Sequence, residues 1–260
     1  MLLTVDIGNT STKFGLFDSS ELKRSDRLAT SALVAHSHTE PLQQIFESDA
    51  AYSKIKAIAV ASVVPIATQA LVEYCSAHFP AVNVTEISHA NIPLINSYNA
   101  PTDVGLDRLL SAFAAYMMYG KPALRPVITV DTGTATTFNC VTSKGEFLGG
   151  AITLGAGAIM KALHSSTAQL PIEVLEFPSS SLGRSTDESI RSGVLFGSLA
   201  MIEGMIERLK LAAFFDEDPI VILTGGHSNL FRGKSLAFDQ VEPHLVLFGI
   251  RLSYESQMKQ

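Results

Sequence analysis

The sequence is poor in cysteine, in charged residues and in long apolar runs, and each shortage excludes a class of protein. Only two cysteines, Cys75 and Cys140, occur among 260 residues, and they lie far apart. They form neither a disulfide framework nor a metal cluster, and we expect both to be small apolar core residues. Charged residues make up only 17% of the chain. This low fraction favours a sheet that is covered on both faces.

Membrane, secretory and nucleic-acid-binding proteins are also disfavoured. No segment reaches the roughly 18 consecutive apolar residues that a spanning helix needs, so we expect no membrane contact. The N-terminus has no basic start and reaches an acid at Asp6, unlike a secretory signal, so we expect a cytoplasmic protein. The net charge is −6 and lysine and arginine are scattered, which argues against a nucleic-acid partner.

Two parts of the chain begin alike. An apolar run precedes Asp6-Ile7-Gly8-Asn9-Thr10, another precedes Asp131-Thr132-Gly133-Thr134, and a strand-like run follows each turn. The two aspartates are 125 residues apart. An internal repeat of this size predicts two similar α/β lobes with a cleft between them, which we place at residues 1–120 and 121–260.

Apolar periodicity predicts the remaining elements. The predicted strands cover 12–17, 57–64, 82–87, 135–142, 146–148 and 220–223, and the predicted helices cover 66–78, 104–119, 155–164, 184–213 and 243–257. We expect Thr102 or Asp103 to cap the 104–119 helix. The long 184–213 helix contains three glycines, and we expect it to be broken or bent near them.

The turn that begins at Asp6 is typical of a phosphate-binding loop. Asp6 ends a buried strand, so it should lie at a sheet edge where α/β proteins bind ligands, and it could serve Mg²⁺. Gly8 lets backbone N–H groups approach an anion closely. Polar side chains add donors and one positive charge; they are Asn9, Thr10, Ser11, Thr12 and Lys13. An ordinary turn with Asp and Gly in their usual roles is the alternative.

The turn that begins at Asp131 is of the same kind. Two such turns facing each other could clamp the β- and γ-phosphates of a nucleotide together with its metal. Phosphoryl transfer needs this arrangement, because its catalysis is mostly positioning and charge neutralisation. The pair therefore favours a kinase.

Two further motifs carry chemistry of their own. In the segment 105–108, the helix N-terminus favours an ionised Asp107, which could accept a hydroxyl proton, and Arg108 could hold a carboxylate or phosphate in bidentate fashion. Helix-start electrostatics and a surface arginine explain that segment equally well. The glycines of Thr224-Gly225-Gly226 could let a flat adenine or ribose lie against the backbone, or could simply open a helix.

The ordered set of motifs resembles the acetate kinase, sugar kinase, heat-shock chaperone and actin superfamily, and within it the type III pantothenate kinases. Besides the two Asp-x-Gly turns, the matching motifs are Gly105-Leu106-Asp107-Arg108, Gly149-Gly150-Ala151-Ile152, Thr167-Ala168-Gln169-Leu170-Pro171, Gly183 to Thr186 and Thr224-Gly225-Gly226. The resemblance spans about Leu2 to Gly249. One departure is Leu154, which precedes Gly155 where the family pattern has a proline, and this leaves the rigidity of the turn in question.

The resemblance implies two ribonuclease H-like lobes and the transfer of a phosphoryl group from ATP to pantothenate, the first step toward coenzyme A. The implied ATP-binding residues are Asp6, Ile7, Gly8, Asn9, Thr10, Ser11, Thr12, Lys13 and Thr134, with Asp6 near Mg²⁺ through a phosphate or water. The implied substrate residues are Tyr98, Gly105, Leu106, Asp107, Arg108 and Thr186. Among them, Asp107 would be the catalytic proton acceptor.

The resemblance also implies a monovalent cation, K⁺ or NH₄⁺, held by Asp131, and a homodimer in which Thr186 contacts substrate across the interface. The apolar stripe of the 189–209 helix could supply part of that interface, or could pack in the core. Two other functions stay open: another small-metabolite kinase of the superfamily, and a nucleotide-binding regulatory protein without catalysis.

Overall fold

The computed structural model describes residues 1–34, 39–166 and 174–258, and the chain forms two compact units. Unit 1 comprises Met1–Pro93, Thr102–Ala114 and Val246–Gln260, and unit 2 comprises Leu94–Pro101 and Ala115–Leu245. This grouping differs from the predicted lobes 1–120 and 121–260. The segment 94–101 belongs to unit 2, and the C-terminal segment from residue 246 belongs to unit 1.

The strands and helices follow the predicted order closely. The strands are β1 (Leu2–Ile7), β2 (Ser11–Asp18), β3 (Glu21–Ala29), β4 (Ala57–Ser62), β5 (Val84–Glu86), β6 (Ile95–Asn96), β7 (Val127–Thr132), β8 (Ala135–Val141), β9 (Glu146–Leu154), β10 (Ile220–Thr224) and β11 (Gln240–Val241). The α-helices are α1 (Thr30–Val34), α2 (Thr39–Glu47), α3 (Pro65–His78), α4 (Leu106–Ala115), α5 (Lys121–Ala123), α6 (Ala156–Ser166), α7 (Thr186–Ala213), α8 (Ser228–Phe231) and α9 (Leu245–Gln257). Short 3₁₀ turns cover Ala50–Lys54, His89–Asn91 and Pro101–Asp103, and a π-helical turn covers Tyr116–Gly120.

The two units contain sheets of matching topology. The sheet of unit 1 has the order β3-β2-β1-β4-β5, in which β1, β2 and β3 are antiparallel neighbours and β4 and β5 run parallel to β1. The sheet of unit 2 has the order β11-β10-β7-β8-β9-β6. Without the short edge strand β6, its strands repeat the order and directions of unit 1. The predicted internal repeat and the α/β fold class are confirmed.

Each unit has its own hydrophobic core. In unit 1, residues of β1, β2 and β4 pack with those of α2 and α3, and in unit 2, residues of β7, β8 and β10 pack with those of α6 and α7. Cys75 lies in the first core and Cys140 in the second, both with free thiols. Burial raises the pKa of Cys75 to about 12, so the unreactive thiol form dominates at neutral pH. The expectation that both cysteines are apolar core residues is confirmed.

Helix α7 is continuous over 28 residues, so a break near its glycines is wrong, and a bend there stays a prediction. The helix buries Ile190, Leu195, Ile202 and Ile206 along its length. This burial outweighs the roughly 1 kcal/mol by which each interior glycine disfavours a helix. Helix α7 is also long and apolar enough to cross a membrane, but a buried core helix passes the same test, so this is weak evidence.

Candidate active site

Asp6 lies beside Lys13 on the neighbouring strand. The two residues are register partners in β1 and β2, and Lys13 Nζ donates to Asp6 Oδ2 at 3.1 Å. Asp6 is 7% exposed, and this burial raises the pKa of its carboxyl group; Lys13 opposes the rise and the nearby Asp107 carboxylate adds to it. The Asp6 carboxylate is therefore poorly solvated, and it gains from any cation that comes close to it.

The loop after Asp6 is held in place by Thr30 at the start of α1. The Gly8 carbonyl accepts a hydrogen bond from Thr30 Oγ1 at 2.6 Å, and Thr30 N donates to Thr10 O at 3.2 Å. The loop also closes on itself, since Gly8 N donates to Ser11 O at 3.2 Å. Asn9 and Thr10 are exposed at its tip. Thr30 could not be predicted from the sequence, because no turn or spacing signal connects it to a loop 20 residues earlier.

Two predicted ATP-binding residues have buried side chains. Ile7 belongs to the core of unit 1, so only its backbone can take part in binding. Thr12 is fully buried, and its hydroxyl lies 3.1 Å from the Thr30 hydroxyl. This differs from the prediction that the Thr12 side chain is a phosphate donor, because its hydroxyl supports the loop from within.

Asp107 lies close to Asp6. Both residues line a small cavity of about 20 Å³, enough for one water molecule, together with Ile7, Gly8 and Leu106 and the segment 61–63. Asp107 is exposed in the first turn of α4, and its neighbour Leu106 is buried. The fold of unit 1 therefore brings two of the three predicted functional carboxylates to one place.

The Asp107 carboxylate has a defined orientation. Its Oδ1 accepts a hydrogen bond from Arg108 N at 2.8 Å. A Cβ atom at Gly105 would lie 2.6 Å from the same oxygen, so a glycine is needed for this orientation. Helix α4 is in turn packed closely on α9, because a Cβ at Gly249 would lie only 2.2 Å from Leu110 O. Backbone packing thus supports the first turn that carries Asp107.

The start of α4 corrects two expectations. The helix begins at Leu106, and the Gly105 carbonyl accepts its first hydrogen bonds, so the predicted capping role of Thr102 or Asp103 is wrong. Those two residues belong to the preceding 3₁₀ turn. Arg108 is only 8% exposed, so the surface-arginine alternative is also wrong.

Asp131 lies on β7 beside Thr224 on β10, its register partner. The loops after the two strands are hydrogen-bonded to each other. Thr132 Oγ1 donates to Thr224 O at 3.1 Å, and His227 N donates to Thr132 O at 2.9 Å. Unit 2 therefore joins the second Asp-x-Gly turn to the Thr-Gly-Gly segment.

A third segment approaches the same turn from α6. Gly155 N donates to Thr134 O at 3.0 Å, and a Cβ at Gly155 would lie 2.2 Å from Gly133 O. Thr134, a predicted ATP-binding residue, is exposed. Leu154 is exposed where the family pattern has a proline, and the hydrogen bond of Gly155 supplies a constraint on the turn there.

The surroundings of Asp131 fit a hard cation. Asp131 is half-buried, and Cβ atoms at Gly133 and Gly225 would lie 3.4 Å and 2.2 Å from its Oδ1. The Asp131 carboxylate therefore packs against the backbone of both glycines, and a carboxylate is the ligand type that hard cations prefer. Among residues 1–34, 39–166 and 174–258, no cluster of three or more His, Cys, Asp or Glu could hold a metal ion.

Tyr98 is held against β9 in unit 2. Its backbone N–H donates to Asn96 Oδ1 at 3.1 Å, and β6 pairs with β9 just before it. Gly149 has φ +112°, and a Cβ there would lie 3.1 Å from the Tyr98 ring. A Cβ at Gly150 would lie 1.8 Å from Phe138 O. The Gly-Gly motif therefore lets the Tyr98 ring and strand β8 approach β9.

Thr186 is exposed at the first position of α7, where Ser185 caps the helix. Ser185 Oγ accepts from Glu188 N at 3.2 Å, and Glu188 Oε2 accepts from Arg184 N at 2.8 Å. The Ser-x-x-Glu spacing is a known capping signal, and the sequence analysis did not use it. The other loop motif, Thr167 to Pro171, lies outside the described residues.

Comparisons with known proteins agree with the resemblance. The family model for type III pantothenate kinase matches residues 2–208. Type III pantothenate kinase 1 of Symbiobacterium thermophilum is 38% identical to this chain, and the aligned region covers 98% of this chain and 96% of that protein. The type III pantothenate kinase of Streptomyces griseus is 36% identical, with 98% of each chain covered.

Solved structures share the fold. A Listeria monocytogenes protein assigned as an N-acetylmannosamine kinase matches with a TM-score of 0.53 and 14% identity over 99% of each chain. At this identity the match shows the fold alone. The family model and the curated relatives cover most of the chain, and the chain therefore belongs to the type III pantothenate kinase family.

Proposed function

We propose that this protein transfers the γ-phosphoryl group of ATP to the hydroxyl group of pantothenate and forms 4′-phosphopantothenate, in the first step of coenzyme A synthesis. Its family membership supports the reaction. The structural observation that carries the proposal is the cavity that Asp6 and Asp107 share. One carboxylate is placed to serve the phosphate side of the reaction and the other to serve the alcohol.

Asp107 accepts the proton of the pantothenate hydroxyl. Its Oδ1 is already hydrogen-bonded to Arg108 N, so Oδ2 is the oxygen we assign to the proton. Phosphoryl transfer proceeds through a loose transition state in which the proton moves late, so a weak base suffices. Tyr98 and the segment 105–108 are the substrate contacts that we assign from the family resemblance.

The loop from Gly8 to Ser11 binds the phosphates of ATP, with backbone N–H groups other than that of Gly8, which donates to Ser11 O, as donors and Lys13 as a neutralising charge. Asp6 holds Mg²⁺ through a phosphate or a water molecule. Bound Mg²⁺ supplies charge neutralisation on the phosphates. The burial of Asp6 suits this role, because a poorly solvated carboxylate gains more from a cation than an exposed one does.

Unit 2 supplies the remaining contacts. Thr134 binds ATP, and Asp131, beside Gly133 and Gly225, would hold a monovalent cation, K⁺ or NH₄⁺. We further propose a cytoplasmic homodimer in which Thr186 contacts substrate across the subunit interface.

The activity is tested by incubating the purified protein with ATP, Mg²⁺ and pantothenate, with KCl compared against tetramethylammonium chloride at equal ionic strength. Mass spectrometry should detect phosphopantothenate, and K⁺ should increase its rate of formation. Phosphorylation of a sugar or a short hydroxy acid instead of pantothenate would establish a different kinase. Absence of any phosphorylated product with both ions present would favour a regulatory protein.

The contact between Gly149 and Tyr98 gives a specific prediction. In Gly149→Ala, the new Cβ displaces the Tyr98 ring, so we expect the KM for pantothenate to rise about tenfold while the KM for ATP stays within about twofold. Gly233→Ala is the matched control, because Gly233 also has a positive φ, +69°, and nothing lies within 4 Å of its Cβ position. If the two variants have equal KM values for pantothenate, the assignment of Tyr98 as a substrate contact is wrong.

A further inference from the structure

The missing side chain of Gly225 is replaced in space by the Asp131 carboxylate. A Cβ at Gly225 would lie 2.2 Å from Asp131 Oδ1 and 2.8 Å from Thr132 N, distances that real Cβ atoms essentially never show. Gly225 also has φ +94°, a conformation that other residues rarely adopt. From the sequence, the glycines of this segment could accept an adenine or ribose or could simply open a helix; in the fold, the Cβ position of Gly225 is occupied by the Asp131 carboxylate.

The backbone around Gly225 is held from both sides. Its carbonyl accepts from Ser228 N at 3.1 Å and from Ser228 Oγ at 2.7 Å, and Ser228 is fully buried. On the other side, Thr132 Oγ1 donates to Thr224 O, and both threonines are buried. The peptide planes next to Asp131 are therefore fixed by buried hydrogen bonds, and the carboxylate rests on a backbone surface that has little freedom to move.

We propose that Gly225 is a positioning residue for the monovalent-cation site: it holds the Asp131 carboxylate in the orientation that binds K⁺ or NH₄⁺. This inference rests on the proposed function and names a residue that orients the ligand of its monovalent cation. It follows that the loop after β10 and the cation site are coupled. A substitution in this loop should therefore change the half-activating K⁺ concentration more than the KM for pantothenate.

The first test measures phosphopantothenate formation by Gly225→Ala as KCl is varied at constant ionic strength. We expect the half-activating K⁺ concentration to rise at least tenfold, with the KM for pantothenate within about twofold of the unmodified protein. Gly233→Ala separates the strain of a positive φ from the contact with Asp131, and it should leave the K⁺ response unchanged. A K⁺ response of Gly225→Ala equal to that of the control overturns the proposal.

The second test measures binding without turnover, by calorimetry with a non-hydrolysable ATP analogue in KCl and in tetramethylammonium chloride. The unmodified protein should bind the analogue more tightly in KCl, and Gly225→Ala should lose most of this difference. If Gly225→Ala weakens binding by the same factor in both salts, Gly225 makes room for the nucleoside and the proposal is wrong.

A third measurement keeps the proposal testable where Gly225→Ala folds poorly. Thermal unfolding is compared for the four proteins of a double-mutant cycle made from Gly225→Ala and Asp131→Ala. Removing the carboxylate removes the closer of the two clashes and leaves the one with Thr132 N, so we expect Gly225→Ala to lower the melting temperature less in the Asp131→Ala background. Equal losses in the two backgrounds contradict a contact between Gly225 and the carboxylate.

The outcomes also separate this inference from the proposed function. If the unmodified protein forms no phosphopantothenate, the proposed function fails, whereas the double-mutant cycle still reports on the contact. If the unmodified protein is active and responds to K⁺ while Gly225→Ala responds identically, the proposed function stands and the positioning role of Gly225 fails.

Discussion

Asp107→Asn should lower kcat for pantothenate phosphorylation by about 10²- to 10⁴-fold, the range expected for the loss of a general base. Asparagine keeps the size of the side chain, and its carbonyl oxygen can still accept from Arg108 N, but the amide cannot take up a proton. Binding of ATP should therefore change by no more than about twofold. Steady-state kinetics and calorimetry with an ATP analogue measure the two effects separately.

Asp103→Asn is the matched control for this substitution. Asp103 is an exposed acid in the 3₁₀ turn just before α4, and the cavity of Asp6 and Asp107 is lined by other residues. Its removal should leave kcat within about twofold. If Asp107→Asn turns over as fast as this control, another group accepts the hydroxyl proton, and the assignment of Asp107 is wrong.

Asp6→Asn should lower kcat at least about 100-fold and should also make the protein more stable near neutral pH. The loss of activity follows because a neutral amide cannot hold Mg²⁺ near the phosphates as a carboxylate does, so the Mg²⁺ concentration needed for half-maximal activity should rise. Asp18 is an exposed acid at the end of β2, so Asp18→Asn is a suitable control. It should alter neither kcat nor the stability near neutral pH.

The gain in stability follows from the raised pKa of Asp6. Burial is its main cause, and it outweighs the attraction of Lys13. When the pKa of an acid is higher in the folded state than in the unfolded state, ionisation favours unfolding. The folded protein is therefore destabilised at pH values above the folded-state pKa, and this destabilisation disappears below the ordinary value of 3.8. Asparagine removes it at all pH values.

Thermal unfolding as a function of pH checks this second effect. The melting temperature of Asp6→Asn should exceed that of the unmodified protein near pH 7, and the difference should shrink as the pH falls toward 4. If Asp6→Asn is instead less stable at pH 7, the ion pair with Lys13 outweighs burial. Asp6 would then be a structural partner of Lys13 rather than a site kept ready for a cation.

The strands around the two Asp-x-Gly turns could be predicted from the sequence, because their signals are local. Apolar runs before and after a polar glycine turn predict a hairpin whatever the rest of the chain does. The edge strand β3 was missed for the opposite reason. Its sequence, ELKRSDRLA, is dominated by charged residues, and it becomes a strand through its pairing with β2 along nearly its whole length.

The same distinction applies to single residues of the candidate site. Sequence motifs identified Asp6 and Asp107, but the sequence could not tell that Thr12 faces inward or that Arg108 is buried. The first property depends on Thr30, which lies 18 residues further along the chain, and the second on how α4, the helix that carries Arg108, packs in the fold. A glycine motif likewise indicates that another group lies close to the backbone, but it does not identify that group. At Gly225, the group is the Asp131 carboxylate.

By itself, the sequence determined the repeated strand-turn-strand unit, the family and the residue types of the site, because turn chemistry and apolar runs act over a few neighbouring residues. Only the tertiary structure decided which of those residues meet. Asp6 and Asp107 share one cavity across 101 residues of chain, and Gly225 lies against Asp131 across 94. Such contacts arise from strand order and helix packing, which bring distant segments together without leaving a local pattern in the chain.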